Sequence, residues 1–134
     1  MKNIHATCIS YNNKGILLLG KPGAGKSDLA LRMIMREKAR LVSDDRTEIS
    51  VSKGKIYASA PKNIQGLMEV RGLGIKKFPF RKRQSLRLAV KLDGKMDRMP
   101  EKESFTLDGV EIPQVTLNPF EASVREKLML LIGE

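Results

Sequence analysis

The sequence predicts an α/β fold in which a few helices pack on a mostly β sheet. Three observations support it. An apolar run leads into a glycine-rich turn, an amphipathic segment follows that turn, and short strand-like segments fill most of the remaining chain. The chain has 134 residues, of which 41% are hydrophobic, and this is enough for one compact core. We therefore expect residues 1–134 to form a single domain.

The first segments predict a hairpin, a glycine loop, a helix and a second strand. Ile4–Ser10 is a strand candidate, and "YNNKG" after it has the residues of a tight turn. Ile16–Gly20 is apolar throughout, which is typical of a buried strand. Ser27–Lys38 has apolar residues at helical spacing. Ala39–Asp45 predicts another buried strand, which ends in two acids.

The middle of the chain is rich in strand signals. Thr47–Pro61 predicts a hairpin, and Leu67–Ile75 carries apolar residues flanked by glycines. Leu86–Asp93 alternates as a strand should. Residues 94–104 are polar and predict a loop. Phe105–Leu117 predicts a hairpin that turns at Asp108 and Gly109.

The last segment, residues 118–133, predicts a helix. Asn118 suits the N-cap, Pro119 suits the first helical turn, and Gly133 suits the C-terminal stop. We therefore expect the helix to begin directly after Asn118.

Composition narrows the class of protein. A single cysteine, Cys8, excludes an internal disulfide, and we find no signal peptide and no apolar run near the length of a membrane span. We expect a cytoplasmic protein with no membrane partner. The net charge of +10 favours acidic partners, and Arg71–Lys102 holds eleven Lys or Arg against three acids. That stretch is either a solvated basic face or a binding surface, with Phe78 and Phe80 as weak candidates for base stacking.

The glycine-rich turn Gly20–Ser27 fits the pattern G-x-x-x-x-G-K-[ST]. Glycines permit backbone angles that turn successive N–H groups toward an anion, and the following helix adds its positive end. Lys26 can reach the outer phosphates of a nucleotide, and the Ser27 hydroxyl can ligate Mg²⁺. The predicted nucleotide-binding residues are Gly20, Lys21, Pro22, Gly23, Ala24, Gly25, Lys26 and Ser27.

Two acids and a histidine are the remaining candidates for chemistry. In parallel α/β sheets, ligands gather at the carboxyl ends of strands, so Asp44 and Asp45 should share an edge with the glycine loop. One aspartate would bind Mg²⁺ and the other would accept a proton from an acceptor hydroxyl, or both lie in an ordinary polar turn. His5, the only histidine, either faces this site or has no role in it.

Several segments in order resemble the HPr kinase/phosphorylases. They are "IHAT" before the hairpin, "GKPGAGKSDLALRMI", "RLVSDD" and, most specifically, "LMEVRGLGI" with its Glu-x-Arg-Gly-x-Gly core. "DRM" and "LNPFEASVREKL" resemble later family segments more loosely. The resemblance implies a phosphate-loop kinase domain of the HPr kinase and PEP carboxykinase type. It also implies a short form that lacks the N-terminal domain of longer members.

The resemblance implies roles for individual residues. Lys26 would contact the phosphates of ATP, and Ser27 and Glu69 would bind Mg²⁺. Asp44 would accept the proton of the acceptor serine on HPr, a phosphocarrier, or on a related protein. His5 falls at an active-site histidine, and Arg98 in "DRM" matches a catalytic arginine. Family members are hexameric, so we expect a homo-oligomer.

The glutamate signature and one departure from the family leave questions open. Arg71 and Gly72–Gly74 would form a close-approach loop beside Glu69, or a plain β-turn. The family carries Gly-Arg-Asn before its last helix, where this chain reads "LNPFEASV", so reverse phosphorolysis stays open. A nucleotide-binding regulatory module with little catalysis is the main alternative. A nucleic-acid-binding ATPase fits the charge alone, without a recognition motif.

Overall fold

The computed structural model describes residues 1–94 and 103–133. This part of the chain contains eleven strands, two α-helices and a short 3-10 turn at Lys62–Ile64. The strands are β1 (Lys2–His5), β2 (Thr7–Tyr11), β3 (Lys14–Leu19), β4 (Arg40–Ser43), β5 (Arg46–Ser52), β6 (Lys55–Ser59), β7 (Leu67–Val70), β8 (Gly74–Lys77), β9 (Gln84–Leu92), β10 (Glu103–Leu107) and β11 (Val110–Leu117). The helices are α1 (Lys26–Glu37) and α2 (Val124–Ile132).

Nine of the strands form one mixed sheet in the order β1-β5-β6-β9-β3-β2-β4, with β11 added to β9 and β10 added to β11. Strand β9 is central because it pairs with three strands. It runs parallel to β3 along one edge and pairs with both β6 and β11 along the other. Its first residues pair with β6 and its last residues pair with β11. Strands β7 and β8 form a separate hairpin. The predicted α/β class, a mostly β sheet with few helices, is confirmed.

The core lies on both faces of the sheet, because β3 is apolar from Ile16 to its end at Leu19. Ile16 and Leu18 point to the face that α1 and α2 cover, whereas Leu17 points to the opposite face. The cluster under the helices includes Leu29 of α1 and Leu128 of α2, both fully buried. Neither helix of the described ranges is long and apolar enough to cross a membrane.

The predicted turns form where asparagine, aspartate and glycine place them. Asn12 and Asn13 have φ of 49° and 63° between β2 and β3, and Asp108 and Gly109 have φ of 47° and 81° between β10 and β11. These positive values are the left-handed conformations that two-residue hairpin turns require. The predicted loop at residues 94–104 falls mostly on residues 95–102, outside the described ranges, and β10 begins at Glu103.

The single strand expected over Ile4–Ser10 is wrong, because the chain forms two strands separated by Ala6. Strand β1 pairs with β5, whereas β2 pairs with β3 and β4. The chain therefore crosses between distant parts of the sheet at Ala6, whose N–H donates to the Asp45 carbonyl at 3.2 Å. No local pattern in the sequence marks that change of partner.

The start predicted for the last helix is also wrong. Helix α2 begins at Val124 with Ser123 at the N-cap, not directly after Asn118. The Asn118 side chain accepts a hydrogen bond from the Phe120 N–H at 2.9 Å, so it closes a short turn and does not cap a helix. Pro119 consequently lies outside the helix. The expected stop at Gly133 is confirmed, since its N–H donates to the Met129 carbonyl at 2.7 Å.

Close packing at Gly15 gives a stability prediction. A Cβ on Gly15 would lie 2.5 Å from the Ser85 carbonyl oxygen and 3.0 Å from Leu86 Cδ2, where β3 meets β9. We expect Gly15→Ala to lower the free energy of unfolding by about 1–3 kcal/mol, because backbone must move to admit the methyl group. Urea denaturation measures this change. Arg87→Ala, at an exposed position of β9, is the control and should change stability by less than about 0.5 kcal/mol. If the urea midpoints of Gly15→Ala and Arg87→Ala were equal, the prediction would be wrong, because the added methyl group would then cause no strain against β9.

Candidate active site

The glycine loop adopts the conformation that its sequence predicts. Gly20, Gly23 and Gly25 have φ of 152°, 81° and 95°, all positive. Gly20 also needs its small size, because a Cβ there would lie 2.9 Å from Ala24 Cβ and 3.1 Å from the Leu92 carbonyl oxygen. Gly25 is the N-cap of α1, so the first N–H groups of that helix open onto the loop. The backbone N–H donors of the loop and the N-terminus of α1 thus face the same space inside the loop.

The other loop residues take different positions. Pro22, Lys26 and Ser27 line a cleft beside the loop, together with Gly23 and Gly25. Ala24 packs against the apolar core under the helices, and Lys21 is exposed. The Lys21 carbonyl accepts a hydrogen bond from the Ala24 N–H at 2.9 Å, which closes the turn.

Lys26 holds a positive charge at the mouth of this loop. Its Nζ donates to the carbonyls of Gly20 at 2.7 Å and Lys21 at 3.0 Å, and the residue is only 7% exposed. Burial lowers the pKa of Lys26, and the nearby carboxylates of Asp45 and Asp44 partly oppose that shift. A cation held this way gains from an incoming anion, because it has lost much of its hydration.

Asp44 connects the two loops that follow β3 and β4. Its Oδ1 accepts hydrogen bonds from the Ser27 hydroxyl at 2.7 Å and from the Thr7 hydroxyl at 2.9 Å. Strands β3 and β4 both run antiparallel to β2, which lies between them, so both end at the same edge. The expected meeting of the acids with the glycine loop is therefore confirmed, in a mixed sheet and not in a fully parallel one.

Asp45 has a different environment from its neighbour. It adopts a left-handed φ of 69°, and the Arg46 N–H donates to the Asp44 carbonyl at 2.7 Å across this turn. The two carboxylates have different hydrogen-bond partners. Asp45 Oδ1 lies 2.9 Å from His5 Nε2 at the end of β1. His5 therefore faces the site, which is the first of the two positions that the sequence left open for it.

A cleft of about 1010 Å³ brings the predicted residues together. Its lining includes His5, Lys26, Ser27, Asp44 and Glu69. Glu69 reaches the cleft from β7, where the preceding Met68 is 2% exposed and packs into the core. Since successive side chains of a strand alternate, Glu69 is turned outward. Arg98 lies outside the described residues.

The segment after Glu69 is a hairpin turn. The Leu73 N–H donates to the Val70 carbonyl at 2.9 Å, and β7 and β8 pair on either side. Gly72 and Gly74 have φ of 85° and 92°, so glycine is needed for the backbone conformation. A Cβ at either glycine would meet no atom of the described chain within 4 Å. The close approach expected there is therefore not made to any described part of the protein.

The residues that line the cleft but were not predicted from the sequence include Thr7, Arg46 and Phe120. Thr7 is fully buried and donates to Asp44, which only the strand pairing reveals. Arg46 lies opposite His5 in the β1–β5 pair, so both side chains occupy one face of that ribbon. Phe120 lies in the segment that the sequence assigned to a helix. The departure of the segment "LNPFEASV" from the family pattern was the only feature of the sequence that distinguished the region around Phe120.

The two aromatic residues of the basic stretch are not placed for base stacking. Phe78 packs against the core under the helices, and the ring of Phe80 lies over Gly66, with Phe80 Cδ1 2.8 Å from the position of a Cβ on that glycine. Arg83 stacks on Tyr57, its guanidinium carbon 3.6 Å from the ring centroid. The rings of Phe78 and Phe80 therefore pack against the protein, whereas Arg71 of the same stretch lines the cleft.

The oxygen donors of the cleft fit a magnesium ion that is shared with phosphates. The described ranges contain no cluster of three or more His, Cys, Asp or Glu side chains able to enclose a metal. Mg²⁺ does not need such a cage, because it keeps several waters and takes one or two protein oxygens beside substrate phosphates. Ser27 and Glu69 line the cleft with Asp44, and the Ser27 hydroxyl already contacts that carboxylate.

The comparisons with known proteins agree with this geometry. The family model described as HPr Serine kinase C-terminal domain matches residues 1–128. The chain belongs to this family. Its HPr kinase relatives include the HPr kinase/phosphorylase of Caldanaerobacter subterraneus, which is 34% identical over 128 residues, covering 85% of this chain and 42% of that protein. The HPr kinase/phosphorylase of Thermoanaerobacter sp. strain X514 is 45% identical over 73 residues, covering 54% of this chain and 24% of that protein.

The chain therefore spans less than half the length of these HPr kinase relatives. Among solved structures, the Hpr(Ser) kinase/phosphatase from Coxiella burnetii superimposes with a TM-score of 0.87. That match covers 99% of this chain and 95% of the other at 21% sequence identity, and it shows a shared fold. The predicted kinase-type fold is thus confirmed at the level of the whole architecture.

Proposed function

We propose that residues 1–134 form a single kinase domain that transfers the γ-phosphoryl group of ATP to a serine of HPr or a related phosphocarrier. One observation carries this proposal. The Asp44 carboxylate lies 2.7 Å from the Ser27 hydroxyl of the phosphate loop, at the mouth where Lys26 holds its charge. A carboxylate, a cation and a hydroxyl are thereby gathered beside one anion cradle. Family membership supports the same activity.

Binding and orientation come from the loop. The backbone donors after β3 and the N-terminus of α1 hold the phosphates of ATP, and Lys26 exchanges its carbonyl partners for phosphate oxygens. The positive charge compensates the negative charge that spreads over the γ-phosphoryl oxygens in the transition state. Because Lys26 is buried, this compensation occurs in a region of low dielectric, where it is stronger than in water.

The proton balance of transfer assigns a role to Asp44. The serine oxygen forms a bond to the γ-phosphorus, the bond from that phosphorus to the bridging oxygen breaks, and ADP leaves. The serine proton passes to the Asp44 carboxylate. Both hydrogen bonds that reach this side chain within the described ranges end on Oδ1, so Oδ2 is the atom proposed to receive the proton. His5 and Asp45 form a pair that lines the same cleft, and His5 is proposed to act there as the family's active-site histidine.

Magnesium completes the proposal as the partner of the phosphates. Ser27 and Glu69 would hold Mg²⁺, which when bound neutralises charge on the β- and γ-phosphate oxygens. Arg98 is proposed as a further catalytic cation from the family resemblance. A cytoplasmic location and a homo-hexamer belong to the same proposal. Reverse phosphorolysis is expected to be weak, because "LNPFEASV" replaces the Gly-Arg-Asn segment.

A transfer assay tests the proposal. The full chain is mixed with HPr, ATP and Mg²⁺, and phosphoserine is detected by mass spectrometry, with a reaction lacking Mg²⁺ as the control. We expect one phosphate per HPr, on serine, only when Mg²⁺ is present. Tight ATP binding without transfer to any phosphocarrier of the host would reject the kinase and support the alternative, a nucleotide-binding regulatory module.

A further inference from the structure

The segment between β11 and α2 passes directly over the phosphate loop. A Cβ on Gly25 would lie 3.1 Å from Pro119 Cβ and 3.9 Å from Phe120 Cε1. On its other side, the Phe120 ring covers Gly94, where a Cβ would lie 2.7 Å from Cε2 and 2.8 Å from Cδ2. The ring is thus seated between two glycines, one of them inside the loop that binds phosphate.

The backbone around this ring is fixed. The Asn118 side chain accepts the Phe120 N–H at 2.9 Å, and the Asn118 carbonyl accepts the Glu121 N–H at 3.4 Å. Nearby, the Asp93 N–H donates to the Leu117 carbonyl at 3.0 Å, which ties the end of β11 to the end of β9. The backbone that carries the ring is therefore held by a closed turn and by two strand ends, and the ring itself packs against Gly94.

The ring is nevertheless exposed. Phe120 is 71% accessible to solvent, and it is the only Phe or Tyr of the described ranges that lines the cleft. A large apolar side chain gains little by facing water, whereas an exposed ring held beside a phosphate site can stack on a planar ligand. A nucleotide provides such a plane, because its base is joined through one sugar to the phosphates that the loop holds.

We propose that the Phe120 ring stacks on the base of the bound nucleotide, and this inference rests on the proposed function, in which the loop binds a nucleoside triphosphate. Stacking uses the flat face that every base possesses and does not read the polar edge. The subsite therefore favours a nucleoside triphosphate over inorganic polyphosphate and discriminates weakly between adenine and guanine.

Binding measurements on Phe120→Ala test the subsite. We expect the Kd of ATP and of GTP to rise by about tenfold each, which corresponds to the loss of about 1.4 kcal/mol of stacking. The Kd of inorganic tripolyphosphate, which has phosphates but no base, should stay unchanged. Leu130→Ala, on helix α2 at a position that is 81% exposed, is the matched control and should alter none of the three.

Each outcome separates this inference from the proposed function. If the wild-type chain bound neither ATP nor tripolyphosphate, the proposed function would fail and the subsite would fail with it. If the wild type bound both and Phe120→Ala bound all three ligands as the wild type does, the stacking inference alone would be wrong. A uniform loss for all three ligands would also overturn it, because Phe120 would then act through the loop and not through the base.

A second variant gives a readout that does not depend on affinity. The chain contains no tryptophan, so Phe120→Trp would introduce a single fluorescent reporter at the ring position. We expect saturating ATP or GTP to quench its emission and saturating tripolyphosphate to leave it nearly unchanged. Leu130→Trp serves as the control reporter. Equal responses to ATP and tripolyphosphate at position 120 would contradict stacking.

Discussion

Lys26→Ala is expected to lower kcat for phosphoryl transfer by about 10²–10³-fold. Lys26 as a residue is 7% exposed, and its ammonium group donates to two loop carbonyls, which hold it where the phosphates are proposed to bind. Its removal leaves the developing charge on the γ-phosphoryl oxygens without the cation of the phosphate loop. Transfer of labelled phosphate to HPr, measured at saturating ATP, gives the change in kcat.

The fold should survive this substitution. Lys26 is the first residue of α1, where alanine is well tolerated, and its burial is a cost to the charged form, as the lowered pKa shows. Lys55→Ala, at an exposed position at the start of β6, is the charge-matched control and should retain wild-type transfer. A Lys26→Ala protein with an unchanged melting temperature and unchanged kcat would refute the role of Lys26.

Asp44→Asn is expected to lower kcat by about 10²–10⁴-fold, the usual contribution of a general base. The amide oxygen can still accept hydrogen bonds from Ser27 and Thr7, so the loop geometry is kept. Nucleotide affinity should therefore stay near the wild-type value while transfer is lost. Calorimetric titration with an ATP analogue and the HPr transfer assay measure the two effects separately.

Two further variants sharpen the assignment of Asp44. Asp108→Asn makes the same chemical change in the β10–β11 turn, at a φ of 47° that asparagine tolerates, and should leave kcat unchanged. Asp45→Asn tests the neighbouring carboxylate, which contacts His5. Loss of transfer in Asp45→Asn together with full activity in Asp44→Asn would show that the two acids have exchanged roles.

Local rules were sufficient for much of the fold. The turns at Asn12–Asn13 and Asp108–Gly109 were predictable because their residues favour the left-handed conformations of hairpin turns. The glycine loop was predictable because its motif combines positive-φ glycines with a strand before it and a helix after it. Such signals act over a few residues, so a single sequence contains them in full.

The start of α2 shows where local rules compete. Asn118 and Pro119 form a good helix N-terminus, but the same asparagine can also close a turn on the Phe120 N–H. The structure adopts the turn, which places Pro119 and Phe120 against Gly25 and Gly94. The decisive contacts come from residues far apart in the chain. Nothing within the segment itself distinguishes the two solutions.

The site shows the same division. The sequence by itself was sufficient to predict the candidate residues of the site: a phosphate loop with Lys26 and Ser27, and a pair of acids at a strand end. Only the tertiary structure decided how Asp44 and Asp45 differ, since they are adjacent yet one contacts Ser27 and Thr7 and the other contacts His5. The physical reason is the distance along the chain over which the deciding interactions act. Backbone conformation follows from neighbours in the chain, whereas the partners of a side chain depend on which strands pair, and that pairing is fixed by packing over the whole sheet.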